Sequence, residues 1–245
     1  MTYCVALRLR TGMVLLSDTR TNAGVDNIAR FRKMFTWSAP GDRVVAMLTA
    51  GNLAVTQAVI AHLNDAINDP NFQGDTIFTA PSIYRIAQMV GEQMQFAQNR
   101  WGSGLSAMNE SGHATMIVAG QRAGGAPRLF MVYSAGNFIE ATEDTPFFQL
   151  GELKYGKPII DRVISYNSSL DDGVTACLLS MDSTLRSNLS VGMPLDLAVI
   201  PTDSYAFSEL RRIEADDKNY HAMSEAWSAC LREGFVSMRE APKWT

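Results

Sequence analysis

TYCVALRLRTGMVLLSD, residues 2–18, alternates apolar with small or polar side chains on both sides of a central Thr-Gly dipeptide. Alternation with a period of two is typical of a half-buried strand. The Thr-Gly pair is a turn signal, after which residues 13–18 return as a second strand. The stretch therefore predicts an antiparallel hairpin that brings Asp18 back beside Thr2.

The other elements are predicted from the same two periods. Strand patterns occupy residues 33–39, 43–50, 113–120, 127–135, 137–142, 147–151 and 195–201. Helical patterns run from Asn52 to Pro70, from Ser82 to Trp101, and over residues 155–165, 171–187 and 217–238, with a polar bend before the last. This order favours two antiparallel sheets stacked between helical layers over a parallel βαβ sheet. We expect one domain, residues 1–245, of which residues 202–245 are a C-terminal helical extension.

Composition excludes several classes of function. The 245 residues are 47% hydrophobic and 19% charged, as in ordinary globular proteins. The net charge of -4, with dispersed Lys and Arg, gives no footprint for nucleic acid or an anionic membrane. No apolar run approaches the roughly 20 residues that span a bilayer, and the sequence does not begin like a signal peptide. We therefore expect a cytoplasmic protein.

Metal and histidine chemistry are not indicated by the sequence. The cysteines and histidines lie far apart, at Cys4, Cys177, Cys230, His62, His113 and His221. An odd number of cysteines without a CxxC pair predicts buried free thiols rather than disulfides or a zinc site. We expect no metal ion and no organic cofactor.

Thr2 stands directly after Met1, at the head of the first predicted strand. Removal of Met1 would leave its hydroxyl beside a free α-amine, which can act as its own base. Most chain termini are frayed, but a terminus that opens a strand is held in a defined place. Threonine is a common second residue, so an ordinary backbone role stays open at this point.

Five segments together carry a resemblance to a known family. They are MTYCVA (1–6), SDTRTNAGVDNIARFRKM (17–34), LTAGN (48–52), QLGE (149–152) and RSNLSVGMPLDL (186–197). The sequence resembles the N-terminal-nucleophile hydrolases of the proteasome β-subunit type, above all their bacterial Anbu branch. The resemblance implies an α+β fold, a four-layer αββα sandwich of two antiparallel sheets with an extra C-terminal helix. It also implies hydrolysis by an N-terminal threonine.

The resemblance assigns four catalytic roles. Thr2 matches the nucleophile, Asp18 the aspartate sixteen residues later, and Lys33 the lysine that this aspartate holds. An ammonium next to the threonine hydroxyl favours the alkoxide. Gly51 matches the glycine whose N–H forms the oxyanion hole at the start of a helix. Without the resemblance, Lys33 would be interpreted as part of a solvated basic run, residues 30–33.

The supporting residues depart from the family pattern. Glu152 stands where the family usually has serine, and Ser187 where it usually has aspartate, while Ser190 matches a serine of the family. Exchange of a hydroxyl and a carboxylate changes the charge around the terminal amine. The activity is therefore expected to differ from that of a proteasome.

Residues 21–24 (TNAG) resemble the family's substrate-binding edge, where an extended peptide adds through main-chain hydrogen bonds. The expected substrate-binding residues are Thr21, Asn22, Phe35, Thr49 and Leu53. Their small polar and apolar side chains favour an uncharged residue before the scissile bond.

Two functions follow from this interpretation. The first is a threonine peptidase or amide hydrolase, active once Met1 is removed. The second is a non-hydrolytic scaffold or binding subunit that keeps the fold and oligomerises. Both imply a homo-oligomer, either a ring or a helical, lock-washer assembly; the substrate and the need for an unfoldase stay open.

Overall fold

The computed structural model describes residues 2–22 and 28–240. Strand β1 (Tyr3–Leu9) and strand β2 (Gly12–Asp18) pair antiparallel, with Cys4 opposite Ser17. Almost every residue of the two strands is buried. The predicted hairpin is confirmed, and it lies at the centre of a sheet.

Ten further strands follow in the described residues. They are β3 (Arg20–Asn22), β4 (Ile28–Arg30), β5 (Met34–Ala39), β6 (Arg43–Gly51), β7 (Ala114–Arg122), β8 (Arg128–Val132), β9 (Phe138–Glu140), β10 (Phe147–Gly151), β11 (Leu195–Pro201) and β12 (Glu209–Ile213). The first sheet has the order β10-β1-β2-β11-β12, and the second has the order β5-β6-β7-β8-β9. All described pairings are antiparallel, and β3 and β4 form a separate small hairpin.

Five helices occur in the described part of the chain: α1 (Leu53–Asn68), α2 (Ile83–Ala107), α3 (Lys157–Val163), α4 (Leu170–Ser187) and α5 (Lys218–Glu240). Asn52 caps α1, because its side-chain oxygen accepts a hydrogen bond from the N–H of Val55. Ser169 and Asp172 form a capping box at the start of α4. None of the described helices is long and apolar enough to cross a bilayer.

Three apolar clusters define the layers. Alternate side chains of both sheets meet in a central cluster that includes Leu15 and Leu48. The outer face of the second sheet packs on α1 and α2, and that of the first sheet packs on α3 and α4. The arrangement is the four-layer αββα sandwich, an α+β fold, with α5 as the additional C-terminal helix.

Two elements differ from the sequence-based expectation. The segment expected to be a polar bend contains β12, which pairs with β11 at the edge of the first sheet, Leu195 opposite Ile213. Its sequence ELRRI has mostly exposed, charged side chains, so the alternation of a half-buried strand is missing. The β3–β4 hairpin was not foreseen either, since each strand has only three residues.

The antiparallel registers place several strand ends together. Tyr3 at the start of β1 lies opposite Gly151 at the end of β10. Asp18 at the end of β2 lies opposite Leu195 at the start of β11. Gly51 ends β6 in the facing sheet. Thr2 therefore lies among the ends of strands from both sheets.

Candidate active site

Asp18 is the centre of a buried hydrogen-bond network. Its Oδ1 accepts from Lys33 Nζ at 2.7 Å and from the Tyr3 N–H at 3.1 Å. Its Oδ2 accepts from the Gly192 N–H at 3.2 Å. One carboxylate therefore ties together the strand that follows Thr2, the segment before β5 and the segment before β11.

The electrostatics of Asp18 follow from this position. Burial raises the pKa of the carboxyl above its ordinary value of 3.8, while the Lys33 ammonium and the two backbone N–H groups act in the opposite direction. Desolvation disfavours the charged form of an acid, and a neighbouring opposite charge favours it. The charge of Asp18 therefore depends on Lys33.

Lys33 is only 4% exposed and is held from several directions. Its Nζ also donates to the Arg20 carbonyl oxygen at 2.6 Å. Its own carbonyl oxygen accepts from the Thr49 N–H at 3.0 Å, which fixes its backbone against β6. The basic run of residues 30–33 is thus not simply a solvated face, because its last member points inward to Asp18.

Thr2 lines a cavity of about 350 Å³. The cavity is lined by Thr2, Thr21, Lys33, Thr49, Ala50, Gly51, Leu53, Thr56 and Gly151. Three of the four predicted catalytic residues line it, and the fourth, Asp18, lies behind it on Lys33. A threonine, a lysine and the start of α1 therefore border one space.

Gly51 has a backbone conformation that other residues rarely adopt. Its φ is +97°, and a Cβ at this position would lie 2.3 Å from the His113 carbonyl oxygen. The adjacent Asn52 donates its N–H to that same oxygen at 2.8 Å and caps α1. Gly51 therefore stands where amides and the helix dipole favour developing negative charge.

Glu152 and its hydrogen-bond partners lie beside the backbone of Thr2. Glu152 is buried, and its N–H donates to the Thr2 carbonyl oxygen at 2.8 Å. Its Oε2 accepts from Asn188 Nδ2 at 3.1 Å, and Asn188 Oδ1 accepts from the Ser190 N–H at 2.9 Å. Ser187 is the last residue of α4 and is exposed. The structure thus brings Asn188 rather than Ser187 against Glu152.

The predicted substrate-binding residues divide into two groups. Thr21, Thr49 and Leu53 line the cavity. Phe35 packs against the apolar cluster beneath α1 and α2 instead. Asn22 pairs with Ile28 in the β3–β4 hairpin, while residues 23 and 24 of the TNAG segment lie outside the described residues.

Cys4 is the one cysteine close to this network, and its thiol is not an activated nucleophile. Its Sγ donates to the Thr49 carbonyl oxygen at 3.8 Å. Burial raises the pKa of the Cys4 thiol well above its ordinary range, with Lys33 acting in the opposite direction. The thiolate is the reactive form of cysteine, so Cys4 is expected to be inert.

Sequence reasoning missed Asn188 as a member of the site. It lies within the segment 186–197 that carries part of the resemblance, directly after the fourth predicted helix, and asparagine is common at such ends. No spacing or alternation links it to Glu152, which lies 36 residues earlier in the chain. Only the tertiary structure reveals the pair.

Comparisons with known proteins identify the family of the chain. The model of the family described as proteasome subunit matches residues 2–200. A structure of the Gly-1 mutant of Anbu from Hyphomicrobium sp. strain MC1 is similar, with 47% identity, 100% of both chains covered and a TM-score of 0.90. No match was found among curated proteins.

Two other Anbu structures are similar over almost the whole chain. Anbu from Yersinia bercovieri, described as an ancestral beta-subunit, is 43% identical, with 99% of this chain and 98% of that chain covered and a TM-score of 0.88. The helical assembly of the Anbu complex from Pseudomonas aeruginosa is 45% identical, with the same coverage and a TM-score of 0.91. The chain therefore belongs to the proteasome subunit family, within which it resembles the Anbu proteins.

Proposed function

We propose that the protein is an N-terminal threonine hydrolase that cleaves peptide or amide bonds, with Thr2 as its nucleophile after removal of Met1. The observation that carries the proposal is the shared cavity of Thr2, Lys33 and Gly51, with Lys33 held by the buried Asp18. A nucleophile, a cation and an oxyanion donor in one cleft are the parts that acyl transfer requires.

Each residue has a role in the proposed reaction. The Thr2 oxygen attacks the substrate carbonyl carbon while its proton passes to the free α-amine. The Lys33 ammonium stabilises the negative charge of the hydroxyl oxygen, and Asp18 holds this ammonium in place. The Gly51 N–H donates a hydrogen bond to the oxyanion of the intermediate. The resulting ammonium gives this proton to the leaving nitrogen as the C–N bond breaks, and water then hydrolyses the ester between the acyl group and the Thr2 oxygen.

The cavity lining supports a substrate with an uncharged residue before the scissile bond. Thr21, Thr49 and Leu53 present hydroxyl and aliphatic groups. Thr21 also belongs to β3, so we propose that an extended substrate adds its main chain along this strand. The three cysteines are free, which suits the cytoplasmic location that we also propose.

Maturation is the first point to test. Methionine aminopeptidases remove an initiator methionine before small residues, so Thr2 is a suitable second residue. Intact-mass spectrometry of the protein purified from its natural host should give the mass of the chain without Met1. Retention of Met1 would refute the mechanism, because the Thr2 nitrogen would then be an amide.

Covalent labelling tests the nucleophile itself. A probe that reacts with the hydroxyl and the amine of an N-terminal threonine together should label the wild type and fail to label Thr2→Ala. Thr11→Ala is the matched control, because Thr11 is an exposed threonine at the opposite end of the same hairpin. Equal labelling of wild type and Thr2→Ala would contradict the proposal.

A second candidate function, an assembling scaffold, is favoured by α5. Its first half packs on α4 and joins the apolar cluster of the first sheet through Tyr220, whereas Leu231, Phe235 and Met238 in its second half are 54%, 68% and 68% exposed. Spacings of four and three residues place these three side chains on one stripe. Such a stripe suits burial in a homo-oligomer, and a helical assembly is known for the Pseudomonas aeruginosa relative.

Light scattering distinguishes the two candidates when combined with the labelling. The double variant Leu231→Glu/Phe235→Glu should form smaller particles than the wild type, while Glu233→Gln on the same helix should not change their mass. A wild type that assembles through this stripe but resists labelling would favour the scaffold. Unchanged particle mass in the double variant would exclude α5 as the interface.

A further inference from the structure

Glu152 occupies a position that the strand register fixes relative to Thr2. Tyr3 lies opposite Gly151, and the ladder continues by one hydrogen bond, from the Glu152 N–H to the Thr2 carbonyl oxygen at 2.8 Å. Gly151 has a φ of +81°, and a Cβ on it would lie 1.8 Å from that oxygen. Only glycine permits this approach, so residue 152 is held against the backbone of Thr2.

The carboxylate of Glu152 is oriented by its neighbours. Only 7% of the residue is exposed, and each carboxylate oxygen accepts a bond, Oε2 from Asn188 Nδ2 at 3.1 Å and Oε1 from the Lys154 N–H at 3.4 Å. Asn188 is itself fixed, because its Oδ1 accepts from the Ser190 N–H at 2.9 Å. A carboxylate has about four lone-pair directions, so Glu152 can accept further donors.

We propose that Glu152, oriented by Asn188, is the acceptor that positions the α-ammonium of Thr2 when the hydroxyl gives up its proton. The proposal rests on the function proposed above. The Thr2 O–H bond breaks, its electron pair forms the new C–O bond, and its proton forms an N–H bond on the amine. The electron pair of the carbonyl double bond moves to its oxygen and returns when the C–N bond breaks, and the ammonium gives its proton to the leaving nitrogen. Glu152 stabilises the ammonium and does not change its own protonation.

The charged residues described around Thr2 favour Glu152 as the group that stabilises its ammonium. Lys33 lines the same cavity, and its positive charge disfavours a second cation there. The carboxylate of Asp18 already binds the Lys33 ammonium at 2.7 Å. Arg20 packs over Gly192, on the side of Asp18. Lys154 follows Glu152, and its ammonium lies over the Tyr155 ring. A buried carboxylate beside the Thr2 backbone counterbalances these cations.

The pKa of the Thr2 α-amine tests whether Glu152 lies next to it. Competitive acetylation followed by mass spectrometry measures the pKa of the Thr2 amine across a pH series, without any turnover. The chain that starts at Thr2 is obtained with methionine aminopeptidase or by cleavage of an N-terminal ubiquitin fusion. Loss of a nearby opposite charge typically lowers the pKa of a cation by about 1–3 units. We expect Glu152→Gln to lower the amine pKa by about 1 unit, a tenfold change in its proton affinity.

The control and the second variant decide the outcome. Glu143→Gln changes an exposed glutamate in the turn before β10 and should leave the pKa of the Thr2 amine unchanged. Asn188→Ala keeps the carboxylate of Glu152 but removes its partner. It should lower the pKa of the Thr2 amine by less than Glu152→Gln does. Equal amine titration in wild type and Glu152→Gln would overturn the inference, even if Thr2 labels normally. A shifted amine without labelling of Thr2 would refute the hydrolase and leave the positioning role of Glu152 intact.

Discussion

The buried Lys33–Asp18 pair predicts a large and pH-dependent loss of stability when Lys33 is replaced. In Lys33→Met the ammonium is lost while the Asp18 side chain, 0% exposed, keeps only the Tyr3 and Gly192 N–H groups among its described donors. Removal of one partner of a buried ion pair costs about 3–5 kcal/mol. At roughly 2–4 °C per kcal/mol for a chain of this size, Tm should fall by about 6–20 °C.

The pH dependence has a definite sign. Burial already raises the pKa of Asp18 in the folded state, and loss of Lys33 raises it further, because the two effects of Lys33 both lower it. Between 3.8 and this raised value the folded state binds more protons than the unfolded state, so stability decreases as the pH rises. The deficit of Lys33→Met should therefore be largest at neutral pH and become smaller as the pH falls toward 5.

Urea denaturation followed by tryptophan fluorescence, at a fixed protein concentration and at several pH values, measures both effects. Lys157→Met is the matched control, because Lys157 forms an exposed helical pair with Asp161 and should cost less than about 0.5 kcal/mol. Lys33→Met/Asp18→Asn should recover part of the loss, since no uncompensated charge stays buried. An unfolding midpoint equal to that of the wild type, or a deficit that grows on acidification, would refute the reasoning.

Two further predictions concern backbone geometry and thiol reactivity. Gly51→Ala should lower kcat on the order of 10² to 10³, measured with any substrate that the wild type hydrolyses, because a Cβ there displaces the oxyanion donor. Gly41→Ala is its control, with a positive φ but open space around the new Cβ; an equal loss of kcat in both variants would exclude the oxyanion role. A thiol reagent should modify Cys230 in the native protein, and Cys4 and Cys177 only after denaturation, because burial raises the pKa of both buried thiols. Rapid native labelling of three thiols would contradict this burial.

The first hairpin was predictable because its determinants are local. Strict alternation and one turn dipeptide decide which side chains are buried, and an antiparallel register then returns Asp18 to the level of Thr2. The long helices were predictable for the same reason. Asn52, where the first helical pattern begins, caps α1, and such a cap depends only on neighbours three residues away.

Lys33 and Asn188 are residues whose contacts local sequence patterns do not predict. Lys33 belongs to a basic run, and its burial depends on a carboxylate that a separate strand delivers. The resemblance to a family, rather than the pattern itself, identified it. No periodic pattern marks Asn188, because its partner Glu152 follows β10 and meets the residue after α4 only in the folded chain. β12 was missed because an edge strand tolerates charged residues on both faces.

The network around Asp18 also explains why a hydrolase of this kind would use the end of its chain as the nucleophile. Asp18 binds the Tyr3 N–H, so the residue after Thr2 is anchored by the same carboxylate that holds Lys33. The Thr2 carbonyl is anchored from the other side by the Glu152 N–H. A terminus tied at both points loses little further entropy on entering the reactive geometry. The fold thus supplies to a chain end the rigidity that other enzymes give to a side chain within a strand or helix.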